Sequence, residues 1–169
     1  DVLFDSSGAA SYENELLVLN EIASQSIDEG SSLNLTLNAT GSGVVYSLEP
    51  VAGYDYPVGI TINSSTGQIH FAGIDNASYR VRAVVEDLFG QTASREFDIL
   101  VNNVAPTLTL LGPTTVAAGT PVTINATTFD IAGAADPLTF AWTLSLNGSP
   151  IASSTALNSY SFTPMAAGI

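Results

Sequence analysis

The sequence predicts an all-β protein made of small sandwiches in tandem, and three features of the 169-residue chain lead there. The first is strict alternation behind a glycine turn. Leu33, Leu35 and Leu37 alternate with polar residues after Gly30, and Val122, Ile124 and Ala126 do so after Gly119. Side chains two apart on a strand share a face, so each run reads as a half-buried strand. The second is recurrence: residues 22–38 and 108–126 follow the same order of short strand, turn and alternating strand, at a spacing of about 90 residues that suits repeated β modules. The third is that no stretch shows a 3.6-residue period, so helix content is expected to be minimal.

Length alone suits one or two domains, and the repeat favours two of roughly 85 residues. No apolar run approaches the ~20 residues a membrane helix needs. No basic-then-apolar leader opens the chain, so any secretion signal is expected to have been removed or to lie outside this stretch. Lysine is absent, and Arg80, Arg82 and Arg95 oppose 16 acidic residues for a net charge of −13. Such a surface repels phosphate backbones and anionic lipid, which argues against nucleic-acid partners and membrane insertion. It attracts divalent cations or basic partners; the plain alternative is a soluble acidic exterior. With 11% charged residues, the chain is thin for a salt-adapted surface. The absence of cysteine in a chain rich in Ser, Thr, Asn and Gly points to a bacterial or archaeal extracellular or cell-surface protein. Asn-x-Ser/Thr sequons occur at Asn34, Asn38, Asn63, Asn76, Asn125 and Asn147, most of them attributable to composition.

The first sandwich is expected over 18–103, with strands near 18–27, 32–39, 44–49, 59–62, 68–72, 79–87 and 94–102. In the strongest strand, Tyr79, Val81, Ala83 and Val85 face inward while Arg80 and Arg82 face out. Phe97, Ile99 and Val101 form the inward set of the last strand, and turns fall at 38–43, 64–67 and 88–90. Residues 1–17 read as the tail of a preceding module or an extended segment that pairs elsewhere. The succession Ser26-Ile-Asp-Glu-Gly30, Pro57-Val-Gly-Ile-Thr-Ile-Asn63, Ser65-Thr-Gly-Gln-Ile69 and Tyr79-Arg-Val-Arg-Ala-Val-Val-Glu-Asp87 with Gly90 resembles the cadherin-like, dystroglycan-type immunoglobulin-fold repeats of bacterial surface proteins. That resemblance implies a seven-stranded Greek-key sandwich. It also makes Tyr79 either a tyrosine corner, its hydroxyl tying down a crossing loop, or a plain core tyrosine.

Asn102-Asn-Val-Ala-Pro106 marks the boundary, since Pro106 holds its predecessor extended and makes the linker short and stiff. The second sandwich is expected over 104–169. Pro121-Val-Thr-Ile-Asn-Ala-Thr127, Asp136-Pro-Leu-Thr-Phe-Ala-Trp142 and Ser161-Phe-Thr-Pro164 resemble a polycystic-kidney-disease-type (PKD) repeat, although Trp142-Thr-Leu-Ser-Leu stands where that family carries Trp-Asp-Phe-Gly-Asp-Gly. Leu138, Phe140 and Trp142 are expected to alternate inward, with Trp142 as the central core aromatic. This second immunoglobulin-like sandwich is expected to be incomplete, lacking two strands that following residues or a neighbouring chain would supply.

Catalysis is hard to place. There is no cysteine or lysine, and the single histidine, His70, sits at an outward position of an alternating strand, so a conventional zinc site is excluded. Neighbouring carboxylates at Asp28/Glu29 and Glu86/Asp87 point to opposite faces of a strand and form no acid–base pair. Calcium is the cofactor with a physical case, because hard oxygens from several loops can converge between stacked sandwiches. The ligand set implied by the cadherin-like resemblance is Glu29, Asp75, Asn102, Asn103, Asp130 and Asp136, with asparagines where the linker would carry aspartates. The expected protein is a non-enzymatic structural or adhesive segment of a secreted repeat protein, a filament or surface-layer component whose partners are other copies or flanking repeats. The alternative is a spacer or weak glycan-binding accessory module of a secreted polysaccharide-degrading enzyme. That reading needs exposed aromatics for surface glycans to stack on, and Tyr12, Tyr46, Tyr54 and Tyr56 are the candidates.

Overall fold

The computed structural model describes residues 2–4, 10–12, 15–155 and 157–167, the backbone alone for 2–4 and 10–12. Two compact units divide the chain, residues 1–103 and 104–169. Among the described residues the regular structure is strand throughout, and the chain is all-β with an immunoglobulin-like sandwich.

Unit 1 begins with a separate hairpin, β1 (Val2–Phe4) and β2 (Ala10–Tyr12). The sandwich follows as β3 (Val18–Leu19), β4 (Gln25–Asp28), β5 (Ser32–Thr36), β6 (Ala39–Thr40), β7 (Val45–Pro50), β8 (Thr61–Ile62), β9 (Gln68–Ala72), β10 (Ala77–Glu86) and β11 (Thr92–Asn102). One sheet has the order β4-β11-β10-β7 and the other β5-β9-β8, with β3 and β6 paired beside them. All pairings are antiparallel except β11 with β4, so the first strand of the larger sheet lies beside the last.

Alternation decides which side chains meet. Val81, Ala83 and Val85 of β10 are fully buried, and Phe97, Ile99 and Val101 of β11 lie inward beside them. They pack against Leu33, Ile69 and Phe71 of the opposite sheet, with Leu17, Leu19, Leu37 and Tyr46 completing the core. Burying side chains of this size contributes roughly 1.5–3 kcal/mol each. The expected strand 18–27 is two strands in different sheets: β3 pairs with β6, and β4 joins β11. The expected strand 32–39 also divides: β5 follows β9 to Thr36 opposite Gln68, the Leu37 N–H still donates to the Gly67 carbonyl at 3.0 Å, and the chain then passes to β6, which pairs with β3. Segments that switch sheets in this way turn the corners of a sandwich.

Two turns are built from chemistry visible in the sequence. Asn63 Oδ1 accepts the Ser65 and Thr66 N–H groups at 3.0 and 3.1 Å, turning β8 back into β9. Gly67 closes that turn at φ +68°, and a Cβ there would stand 2.9 Å from the Tyr46 ring and 3.1 Å from the Leu37 carbonyl oxygen. Between β10 and β11, buried Asp87 accepts the N–H groups of Phe89 and Gln91 on Oδ1, both at 2.9 Å, and the Gln91 side-chain amide on Oδ2 at 2.8 Å. Tyr79 packs edge-on against Phe71 at 5.6 Å, and burial, with help from Asp55 and Asp75, pushes its phenol up; these are the contacts of a core tyrosine.

Unit 2 contains β12 (Thr107–Leu111), β13 (Val122–Phe129), β14 (Trp142–Leu146), β15 (Ser149–Ser154) and β16 (Ser159–Phe162). One sheet runs β12-β13-β16, and β14 pairs with β15 through Asn147-Gly148. Both turn residues have positive φ, 49° and 82°, as a tight hairpin turn requires. The inward alternation of β13 holds, with Val122 and Ala126 buried. The expectation for Leu138, Phe140 and Trp142 does not. Residues 137–141 are outside any strand, all three side chains are only half-buried, and Trp142 is not a central core aromatic. Its ring stacks on Tyr160 at 5.9 Å, and its indole N–H donates to the Leu157 carbonyl at 3.2 Å. The physical reason is a lack of cover: the buried apolar residues of unit 2 among those described are Val122, Ala126 and Ala132.

Candidate functional site

The residues singled out for calcium fall on both units. In unit 1 three segments are stitched together at one end of the sandwich. The Glu29 N–H donates to the Asn102 carbonyl at 3.0 Å, the Gly30 N–H to Gly73 at 2.7 Å, and the Gly73 N–H to Ser31 at 3.0 Å. The turn after β4, the end of β11 and the turn before β10 therefore meet, bringing Glu29, Asn102 and the Gly73–Asp75 turn to one place. Glu29 is buried, Asp75 and Asn102 are half-buried, and Asn103 is exposed. The Asn102 amide nitrogen is already engaged, donating to Ser26 Oγ at 3.0 Å and to the Ile27 carbonyl and Asp28 Oδ1 at 3.2 Å. Asp75 Oδ1 accepts the Asn76 N–H at 2.8 Å.

In unit 2, Asp130 Oδ1 accepts the Ala132 N–H at 2.9 Å, which caps the loop that follows β13. Its Oδ2 is buried without a hydrogen-bond partner, the state of an acceptor that a hard cation could satisfy. Asp136 is half-buried in the same loop. Among the described residues, no group of three or more histidine or acidic side chains is placed to hold a metal ion.

The aromatic candidates separate cleanly. Tyr46 is core, and the side chain of Tyr12 lies outside the described residues. Tyr54 is 51% exposed, but the Arg80 guanidinium lies over its ring at 4.8 Å and donates to its hydroxyl at 3.3 Å. Burial pushes the phenol of Tyr56 up. Among the described residues these four tyrosines form no row, and one face of the most exposed of them is taken by a cation. His70 is exposed on β9, as its place in the alternation requires, and all six sequon asparagines are exposed.

The sequence reading missed the ionic face of the larger sheet. Arg80 forms a two-pronged pair with Asp98, Nε to Oδ1 at 2.7 Å and Nη2 to Oδ2 at 3.0 Å. Arg82 meets Glu96 at 2.8 Å, with Glu49 at 4.0 Å on its other side. The Arg80 hydrogen bond holds the Asp98 carboxyl below its usual range, and Asp98 raises the guanidinium in turn. The signal was available, since arginines two apart on β10 oppose acids two apart on β11.

The family described as "Putative Ig domain" (He_PIG) matches residues 15–102. No curated protein matches the chain. Among solved structures it is similar to "a putative alpha-galactosidase/melibiase" from Bacteroides fragilis NCTC 9343, at 16% identity over 51% of this chain and 17% of that one, with a TM-score of 0.44. It is also similar to protocadherin gamma B2 extracellular cadherin domains 3–6, at 13% identity over 91% of this chain and 40% of that one, with a TM-score of 0.46. Human protocadherin-24 EC1-2 shares 14% identity over 80% of this chain and 69% of its own, with a TM-score of 0.43. The chain thus spans less than two thirds of the length of the first two.

Proposed function

The chain belongs to the "Putative Ig domain" family, and from that premise we propose that it is a non-enzymatic structural or adhesive segment of a secreted or cell-surface repeat protein. One observation carries this reading. The boundary heptapeptide Ile99-Leu-Val-Asn-Asn-Val-Ala105, where the chain leaves unit 1, has a counterpart in Leu17-Val-Leu-Asn-Glu-Ile-Ala23, where the chain enters it. Both copies supply buried core residues, Leu17 and Leu19 at the start and Ile99 and Val101 at the end. A motif shared by the beginning and the end of a module is what a tandem array produces, and such arrays serve as stalks, spacers and adhesive surfaces.

Beads coated with the full chain test the reading. Cohesion between beads supports an adhesive segment. Beads that stay dispersed, combined with retardation of the chain by a soluble polysaccharide, would sink it in favour of a glycan-binding accessory module, for which the exposed Tyr54 is a supporting feature. Calcium belongs to the same proposal. Glu29, Asp75, Asn102 and Asn103 offer oxygens at the end of unit 1 from which the chain leaves, and buried Asp130 Oδ2 offers another in unit 2. Extracellular sites of this kind bind at about 10⁻⁴–10⁻³ M, and at ten times the dissociation constant a site adds about 1.4 kcal/mol of stability. A melting temperature that climbs with calcium through the millimolar range is the expected outcome; curves that superimpose in calcium and in chelator remove the metal.

A further inference from the structure

The two sheets of unit 1 turn different faces to solvent. The smaller sheet, β5-β9-β8, is drawn from residues 30–48 and 56–74, and neither stretch holds an Asp, Glu, Lys or Arg. In a chain of net charge −13 with sixteen acidic residues, two uncharged runs meeting in one sheet set that surface apart. Alternation sends Leu33, Ile69 and Phe71 into the core. Asn34, Thr36, Thr61, Gln68 and His70 therefore stand on the outer side, and all five are exposed. The register puts Asn34 opposite His70, Thr36 opposite Gln68, and Thr61 on the other flank of His70. His70 is the middle residue of β9, and β9 is the middle strand of the three, so it marks the centre of the face. On the larger sheet, by contrast, Arg80, Arg82, Glu96, Asp98 and Glu49 already pair with one another.

Two properties of this outer face decide what it fits. The first is hydrogen-bonding capacity. Hydroxyls, carboxamides and neutral imidazoles each both donate and accept. Among the described residues the side chains of Asn34, Thr36, Gln68 and His70 make no hydrogen bond within the chain. The Thr61 hydroxyl donates to the His70 carbonyl at 3.4 Å and keeps its lone pairs open. A surface whose groups both donate and accept pairs with itself, whereas a row of carboxylates, which only accept, does not. Self-pairing is what a two-fold interface requires, since the same patch serves both partners. The second property is charge. Two copies at −13 each repel wherever carboxylates face carboxylates, and like charges brought together oppose docking. The outer face of β5, β9 and β8 lets two copies meet with no strand carboxylate between them.

We propose that this face docks on the same face of a second copy of this chain, across a two-fold axis that passes near His70. This rests on the adhesive reading and gives it a surface and a partner. Strand spacing and rise give the face a footprint of about 14 by 17 Å, well below the area of a stable complex. A single contact is therefore weak, and holding power comes from many copies engaged at once.

Sedimentation of the full chain at concentrations up to about 1 mM tests this, with the protein made free of glycans so that Asn34 stays bare. Reversible dimers are the expected result. Raising salt should strengthen them, because it screens the repulsion between two acidic molecules. H70E and H70R each set like charges across the axis and should weaken association by about 30-fold. Mixing the two variants should restore it, because glutamate then meets arginine, and that recovery also shows that both are folded. E96Q, on the larger sheet, should leave association unchanged. A chain that is monomeric at every concentration overturns the proposal. So do dimers that salt or E96Q weakens, and a mixture that recovers nothing. A monomeric chain that binds a soluble neutral polysaccharide, and loses it in H70E, assigns the face to a glycan and overturns the proposal too. Beads whose cohesion H70E leaves intact overturn this face while the adhesive reading stands; beads that never cohere remove both.

Discussion

Asp87 shows how a residue that looks chemical can be structural. Its carboxylate accepts three hydrogen bonds within the turn it opens, and leaving those donors unpaired in a buried turn is costly. Asp87→Ala should lower unfolding free energy by about 2–3 kcal/mol in urea titration, with Asp87→Asn recovering part of it. Arg80 is a clamp as well as an ion-pair partner, since it holds both Asp98 and Tyr54. Arg80→Ala should speed amide hydrogen exchange over residues 52–56 while leaving β9 protected. The pair also titrates. The Arg80 hydrogen bond lowers the folded-state value of Asp98, so its stabilisation is present above the ordinary aspartate range and is lost as pH falls through the lowered value. Thermal melts between neutral pH and about pH 2 should therefore show a shallower acid limb in Asp98→Asn than in the parent chain, starting near the ordinary aspartate value of about 4.

Among elements, β9 and β14 make the instructive contrast. Both read as alternating strands. Ile69 and Phe71 of β9 are buried between two sheets, whereas Trp142 of β14 rests on Tyr160 with solvent beside it. Phe71→Ala should cost about 3–5 kcal/mol, as full burial implies, and Trp142→Ala about 1–2 kcal/mol for the part of the ring that is covered. Equal losses would mean that Trp142 is a core residue after all. The β8–β9 turn is a second element-scale case. Gly67→Ala forces a side chain into a left-handed backbone position and against the Tyr46 ring. It should destabilise by more than the roughly 1 kcal/mol of the backbone alone, with the Tyr46 fluorescence environment altered.

For the whole molecule, two units with unequal cores should not unfold as one. Unit 1 has fourteen buried apolar residues and unit 2 has three among those described, so calorimetry should resolve two transitions, the less stable one belonging to unit 2. Charge separates them further. Raising salt toward about 1 M screens the acidic surface of unit 1 and should move its transition upward more than that of unit 2.

Much of this was legible because strand alternation and turn chemistry are local. Ile69, Val81 and Val101 announce their inward places by parity alone, and Gly67 and Gly90 mark turns whose positive φ few other residues accept. The grouping of Glu29, Asp75 and Asn102 was read from resemblance, and the sequence alone could not say that Asn102 would spend its amide on β4. Other features were decided only by tertiary structure. Whether 18–27 is one strand or two depends on which sheet each half can pair with, and the identity of the apolar residues does not encode that. Whether Trp142 is buried depends on what lies opposite it, since parity gives a side chain its direction but not its cover. The sequence by itself determined the period, the turns and the charge. The tertiary structure decided which inward faces are closed, because burial belongs to the packing of two surfaces and a single strand specifies one of them.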